Sequence, residues 1–307
     1  YTEAKADYDK AEEFARGLGD RETRTVALSG QVLSSYFIED YVNSLGILDQ
    51  MLALDPDDLW ALKFKADLLS EFAEYEDAIL LLQRTALLDP SNSETFASMG
   101  WGLENVGAQR AEEAKQAYEN AIALSKDNLW AHKGVGNALV LLGQPGAAAE
   151  KYRYVIEEAN KRGEDNALIG WCQYRLGQYE DAARTFEKGL DLDPGTLSSW
   201  FDLALAQMCG GKYDSALQNY LRGLEIVQPK HPFKRRGLLF IALDDVKEAL
   251  REQPNLATAK EFQEAMRRLK MAWKEVETAA TGPTALNAGT NRKTSAIGND
   301  ELAIATE

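Results

Sequence analysis

A spacing of 34 residues recurs through most of this chain and limits its fold more than any bulk property does. Asp55-Pro56 returns as Asp89-Pro90, and Asp193-Pro194 lies on the same grid once two extra residues in the turn 107–113 are allowed for. With the proline slot numbered 32, position 20 holds Ala78, Ala114, Ala148, Ala182 and Ala216. Position 24 holds Leu82, Tyr118, Tyr152, Phe186 and Tyr220, and position 8 holds Ala66, Gly100, Gly136, Gly170 and Ala204. A period of this length marks one supersecondary unit that cannot bury its apolar face alone and must stack on copies of itself.

The residue types say what the unit is. Small residues at 8 and 20 let two helices approach closely, and a bulky residue at 24 fills the space between them. Asp-Pro stops the second helix, because proline lacks an N–H and pushes its predecessor out of the helical region. Gly107, Gly143, Gly177 and Gly211 near position 15 turn the chain between the two helices. Trp200-x2-Leu203-Ala204 followed by Tyr213, Ala216 and Tyr220, and Ile169-Gly170 followed by Gly177, Tyr179, Ala182, Phe186 and Pro194, resemble the tetratricopeptide repeat family, over about residues 1–230. The resemblance implies an all-α fold, a right-handed α-solenoid of helical hairpins, closed here by a C-terminal capping helix.

The ends depart from the grid. Tyr1-x2-Ala4-x3-Tyr8-x2-Ala11 reproduces positions 17, 20, 24 and 27, so residues 1–24 read as a truncated repeat, its second helix and a connection. That end is expected to fray or to pair with another molecule, which makes oligomerisation through it an expectation. Residues 25–230 read as six units, the first degenerate, with Ser44, Leu48 and Met51 at 20, 24 and 27. Residues 231–278 read as atypical helices: one over 233–250, then a cap opened by Asn255 that buries Phe262, Met266, Leu269, Met271 and Trp273. Residues 279–307 lack apolar periodicity and are expected to be a flexible tail. Above the period lies a second one of 70 residues, in which Leu59-Trp60-Ala61-Leu62-Lys63 matches Leu129-Trp130-Ala131-His132-Lys133.

At about 100° per residue, positions 2, 5, 9, 12 and 13 of each first helix point away from its partner helix. In the family resembled, this set lines the concave, peptide-binding face. It includes Trp60, Lys63, Asp67, Trp101, Trp130, Lys133, Asn137, Trp171, Tyr174 and Arg175, the expected partner-binding groove. Aromatic anchors dominate interface energies; the alternative is that the tryptophans pack one unit on the next. Lys133 and Asn137 match the first half of a carboxylate clamp found in chaperone-binding members. Leu168, Ser198 and Asp202 stand where its remaining polar and basic groups belong, so the clamp is incomplete.

Charge and composition narrow the function. The net charge is −15, with 34 basic and 49 acidic residues, which argues against nucleic-acid binding through bulk positive charge. The run Lys230, Lys234, Arg235, Arg236 is too short to reverse that. No stretch approaches the ~18 apolar residues of a membrane span. Cys172, Cys209, His132 and His231 give no metal-ligand spacing, and no Gly-rich loop follows a strand. No catalytic residue, metal or cofactor is expected, and His132, at position 4, reads as a satisfied packing residue. The expectation is a soluble, cytoplasmic, non-enzymatic scaffold or adaptor that holds a peptide or helix of another protein. The alternatives are the regulatory or substrate-recruiting region of a larger enzyme, such as a glycosyltransferase or signalling protein, and an envelope or secretion assembly factor.

Overall fold

The computed structural model describes residues 1–163 and 166–280, and within them every regular element is helical. They form two compact units, Tyr1–Ala148 and the residues from Ala149 onward. The first holds α1 (Thr2–Leu18), α2 (Arg21–Phe37), α3 (Tyr41–Leu54), α4 (Leu59–Glu71), α5 (Tyr75–Leu88), α6 (Ser93–Val106), α7 (Ala111–Leu124) and α8 (Leu129–Leu141). Next comes α9 (Pro145–Arg162). The second unit continues with α10 (Asn166–Arg175), α11 (Tyr179–Leu192), α12 (Leu197–Cys209), α13 (Tyr213–Val227), α14 (Pro232–Glu252) and α15 (Lys260–Ala280). Even-numbered helices up to α12 are the first helices of hairpins, and odd-numbered ones the second.

Local chemistry sets where these helices start and stop. Asp58 Oδ1 accepts the Ala61 N–H at 3.0 Å, Asn92 Oδ1 that of Thr95 at 3.1 Å, and Asn128 Oδ1 that of Ala131 at 3.0 Å. Each satisfies a backbone donor that its helix leaves open. At the other end, Asp55 (φ −139°, ψ 99°) and Asp193 (φ −139°, ψ 91°) are extended ahead of their prolines. Ser125 adopts φ −139° and ψ 96° with Lys126 in the proline slot. The stop therefore belongs to hairpin packing as well as to the proline ring. In the turns, Gly143, Gly177 and Gly211 lie at φ 72°, 73° and 78°; the same slot holds Glu39 and Ala73, at 60° and 58°. A left-handed backbone costs a residue with a Cβ about 1 kcal/mol, so the first two hairpins are turned against local preference.

The core is built on position 24. Tyr118 of α7 lies between two glycines: a Cβ on Gly100 of α6 would come within 2.8 Å of its ring, and one on Gly134 of α8 within 2.2 Å. Both distances are too short for a real Cβ, so the ring is a wedge that only bare backbone accommodates. Leu82, Tyr118, Phe186 and Tyr220 are 0%, 3%, 1% and 2% exposed. In the second unit Phe186 takes the same seat on Gly170, at 2.8 Å. Tyr8 of α1 presses on Gly30 of α2 in the same manner yet stays 38% exposed, because only one jaw of its seat is present among the described residues. The degenerate unit keeps the register, with Ser44, Leu48 and Met51 all buried.

Beyond α13 the pattern changes. α15, not α14, packs along α13, while α14 lies against α12 and α15. Pro254 heads a short 3-10 turn that buries Leu256, and α15 begins at Lys260 rather than at Asn255. Phe262, Met266, Leu269, Trp273 and Val276 are buried in the core of the second unit. Met271, expected in that face, is 50% exposed, with Arg267 Nη1 3.1 Å from its sulfur. Residues 271 and 273 are about 200° apart on a helix, so they cannot share one face. The expected tail, apart from the helix end at residues 279 and 280, lies outside the described residues.

Two alanine substitutions test the wedge. Gly134→Ala is expected to lower unfolding stability by about 1–3 kcal/mol through overpacking against Tyr118. Gly46→Ala, in α3 with nothing near its missing Cβ, is expected to raise stability by about 0.5–1 kcal/mol. Urea unfolding of both variants reads the two signs side by side, and a neutral Gly134→Ala would contradict this packing.

Candidate interaction surface

In the first unit, the N-terminal halves of α4, α6 and α8 line an open depression of about 830 Å³. Lys63 borders it from α4, Ser93, Glu94, Ala97 and Ser98 from α6, and Asn128 and Trp130 from the start of α8. Part of the floor is tied down: Ser93 Oγ donates to the Ala121 carbonyl at 3.0 Å and accepts from Asn128 Nδ2 at 3.3 Å.

The expected residues divide by slot. The tryptophans at position 2 face solvent, Trp60 being 38% and Trp130 50% exposed. Trp60 stacks on Phe64, one turn on, with ring centroids 5.1 Å apart at 25°. Lys133 Nζ stands 5.2 Å from the Trp130 ring centroid, a cation–π pair that pre-sets both side chains. Lys63 Nζ donates to both carboxylate oxygens of Asp67 at 2.7 Å and reaches Ser98 Oγ at 3.4 Å. At position 9 the picture differs. Trp101 is half-buried, edge-on to the Tyr75 ring of α5 at 5.5 Å. Asn137 is buried, and its Nδ2 donates to Glu104 Oε1 at 2.7 Å, while Glu104 Oε2 accepts from the Tyr118 hydroxyl at 2.8 Å. This half of the clamp motif thus serves a bridge from α8 through α6 to the wedge of α7. His132 is buried, with Nε2 3.1 Å from the Lys126 carbonyl oxygen.

In the second unit α14 reaches the Arg175 end of the expected surface. Arg175, at the end of α10, is 7% exposed at its side chain and makes a two-pronged pair with Glu248 of α14. Nη1 lies 2.5 Å from Oε2, and Nη2 lies 2.9 Å from Oε1. Gln253 Nε2 donates to the Tyr179 hydroxyl at 2.8 Å. Tyr174 is 6% exposed, and burial, with Cys209 and Asp245 nearby, pushes its hydroxyl pKa up. Burial likewise pushes the Cys209 thiol up to about 11, so it stays a packing thiol. Trp171 is partly buried on the same core, 5.3 Å from the Tyr174 ring, and its Nε1 is buried without a hydrogen-bond partner. Trp171, Tyr174 and Arg175 were expected to meet a partner; here they meet their own chain.

Near Arg175 sits a carboxyl group out of its ordinary range. Burial, then Asp202 of α12 and Asp244 and Glu248 of α14, push the pKa of Asp245 well up, and Arg175 only partly offsets them. Tyr174 of α10 and Tyr220 of α13 also feel this carboxyl group. The sequence pointed to the Arg175 end of this pairing and not to its acceptor, because the 34-residue grid ends before Glu248. Glu104 did carry a signal, at position 12, one turn from Trp101 and opposite position 9 of the next unit.

Residues 99–163 and 169–231 match the family model described as tetratricopeptide repeat. A TPR repeat-containing protein of Methanocaldococcus jannaschii is 24% identical over 232 residues, covering 62% of this chain and 40% of that protein. A U-box domain-containing protein of Oryza sativa subsp. japonica is 27% identical over 153 residues, covering 50% of this chain and 18% of that one. The chain thus spans well under half the length of these relatives. Among solved structures, a tetratricopeptide repeat protein from Parabacteroides merdae superposes with a TM-score of 0.55 at 13% identity, covering 78% of this chain and 99% of the other. Among the described residues, no helix is long and apolar enough to cross a membrane.

The slot division gives two expected outcomes. Trp101→Ala and Trp171→Ala should each cost about 2–4 kcal/mol of unfolding stability, against less than about 1 kcal/mol for Trp60→Ala or Trp130→Ala; equal losses at both slots would remove the division. Because the folded-state pKa of Asp245 is raised, its proton stabilises the fold at low pH, and that contribution is lost as pH rises through the raised value. Amide exchange in α14 should therefore slow as pH falls from neutral toward the ordinary carboxylate range, once corrected for intrinsic rates. Asp245→Asn should flatten that dependence.

Proposed function

Because the chain carries tetratricopeptide repeats, a protein-interaction scaffold, we propose that its first unit binds a peptide or helical segment of another protein across α4, α6 and α8. The observation that carries this reading is the exposure of Trp130 at the rim of an open depression that Lys63 also borders, with Trp60 exposed on the same helix as Lys63, while Trp101 and Trp171 are packed within the fold. An aromatic face left in water on a rigid helix is stabilised by a ligand that covers it. Lys133, held over Trp130, and Lys63, at the edge of the depression, supply charge-assisted donors. The fitting segment therefore offers apolar anchors spaced to meet two indoles and acidic groups for the two lysines. Asp67 competes for Lys63, so Lys133 is the stronger determinant of register. The chain contributes binding and no chemistry of its own, and it acts in the cytoplasm.

A partner recovered with the full chain tests this directly. Trp130→Ala is expected to weaken its binding by about 2 kcal/mol, or roughly 30-fold. Lys133→Glu is expected to weaken it further at low salt than at high salt, since an exposed charge is screened. Both variants should melt within a few degrees of the parent chain. A partner that binds the Trp60→Ala, Trp130→Ala double variant as tightly as the parent chain would overturn the reading.

A further inference from the structure

The second helices of the first unit carry a surface of their own, separate from the depression that α4, α6 and α8 line. We propose that the outward faces of α3 and α5 pair with the same faces of a second copy of this chain, in a two-fold dimer where an apolar ridge of α5 lies in a bare furrow of α3.

The repeat makes ridge and furrow correspond. Residues 34 apart occupy equal positions, so Leu80 of α5 matches Gly46 of α3 at position 22, and Leu87 matches Ala53 at position 29. Leu80 is 64% and Leu87 84% exposed, two turns apart on one line of α5. Their counterparts, Gly46 and Ala53, are the two smallest residue types, and both are exposed. A Cβ on Gly46 would meet nothing within 4 Å, and a glycine in mid-helix is less stable than alanine. The fold of one copy therefore has no use for bare backbone at this point; a closely packed neighbour does.

A two-fold axis parallel to the helices keeps every residue at its height. It lays α5 of one copy over α3 of the other, so that Leu80 meets Gly46 and Leu87 meets Ala53, once on each side of the axis. At about 100° per residue, positions 25 and 26 flank this line on opposite sides, and the same axis brings position 25 of one copy beside position 26 of the other. The facing pairs are Asp49 with Arg84 and Gln50 with Gln83, all four exposed. Two copies of a chain with a net charge of −15 repel in general, yet this band sets one charge of each sign face to face. Lys65 Nζ meets Asp49 at Oδ1, and Asp57 takes Arg84 at Nε and Nη2, so Asp49 Oδ2 and Arg84 Nη1 can pair across the axis. Packing α5 on α5 instead would set ridge on ridge and lose that pair.

Sedimentation equilibrium of the full chain, up to about 1 mM, tests the proposal. A reversible monomer–dimer equilibrium is expected, and Leu80→Glu and Leu87→Glu should each raise its dissociation constant at least ~10-fold. Gly46→Leu fills the furrow and should weaken association to a similar extent, while the melting temperature of the dilute monomer is unchanged or higher. That opposite movement separates a blocked interface from a damaged fold. Arg84→Asp and Asp49→Arg should each weaken the dimer, and the two together should recover it, because the swap rebuilds the pair across the axis. A chain that stays monomeric at about 1 mM would overturn the proposal. So would a dimer, including one held through α1, that Gly46→Leu and Leu87→Glu leave as tight as the parent, or a charge-swapped double variant that associates no better than either single one.

Discussion

The seat of one side chain per hairpin governs this fold. At position 24 of the second helices Tyr118 presses on bare backbone at Gly100 and Gly134, and Phe186 does so at Gly170. The contact fixes three things at once. It sets how closely two first helices approach, it forces small residues at the points of contact, and it excludes water from a seam that no single hairpin could close. Repetition of that seat makes a 34-residue spacing visible in the sequence. Turn geometry bends to it: Ala73 and Glu39 accept left-handed backbone where the later hairpins use glycine.

Seating the second helices fixes the outward side chains of the first. Position 2 lies near the helix start, clear of the neighbouring hairpin, so Trp60 and Trp130 stand in solvent. Position 9 lies further along, where Trp101 meets Tyr75. The same residue type on one computed face thus meets two environments, and only the axial coordinate separates them. Asn137 shows the same effect for a polar group: its amide is drawn into a bridge with Glu104 and Tyr118 and is withdrawn from any ligand.

Much of this could be read before any coordinates. The helical hairpins on the grid, the wedge residues and the extended Asp55 and Asp193 follow from period and residue type, because they depend on contacts at fixed sequence separation. The environment of Arg175 does not. Its partner Glu248 lies 73 residues away on a helix that has left the grid, and no local pattern in α14 announces which face it will cover. Met271 departs from the expected face for a simpler reason: it lies about 200° around the helix from Trp273, where Arg267 meets its sulfur instead. Hydrophobic type alone does not place a residue; its angular phase does.

The half-made seat of Tyr8 has a mechanical consequence. Where Tyr118 is clasped on two sides, Tyr8 leans on Gly30 alone and is 38% exposed. A linear stack resists peeling by its seams, and a one-sided seam is the easiest to part. Among the described residues, the seam between α1 and α2 is therefore easier to part than the clasped one around Tyr118. In the second unit α14 lies against α12 and reaches the tip of α10 through Glu248, and so pins hairpins that a simple stack would let go one by one. Tension across the described helices would open the one-sided seam at Tyr8 before the two-sided one at Tyr118.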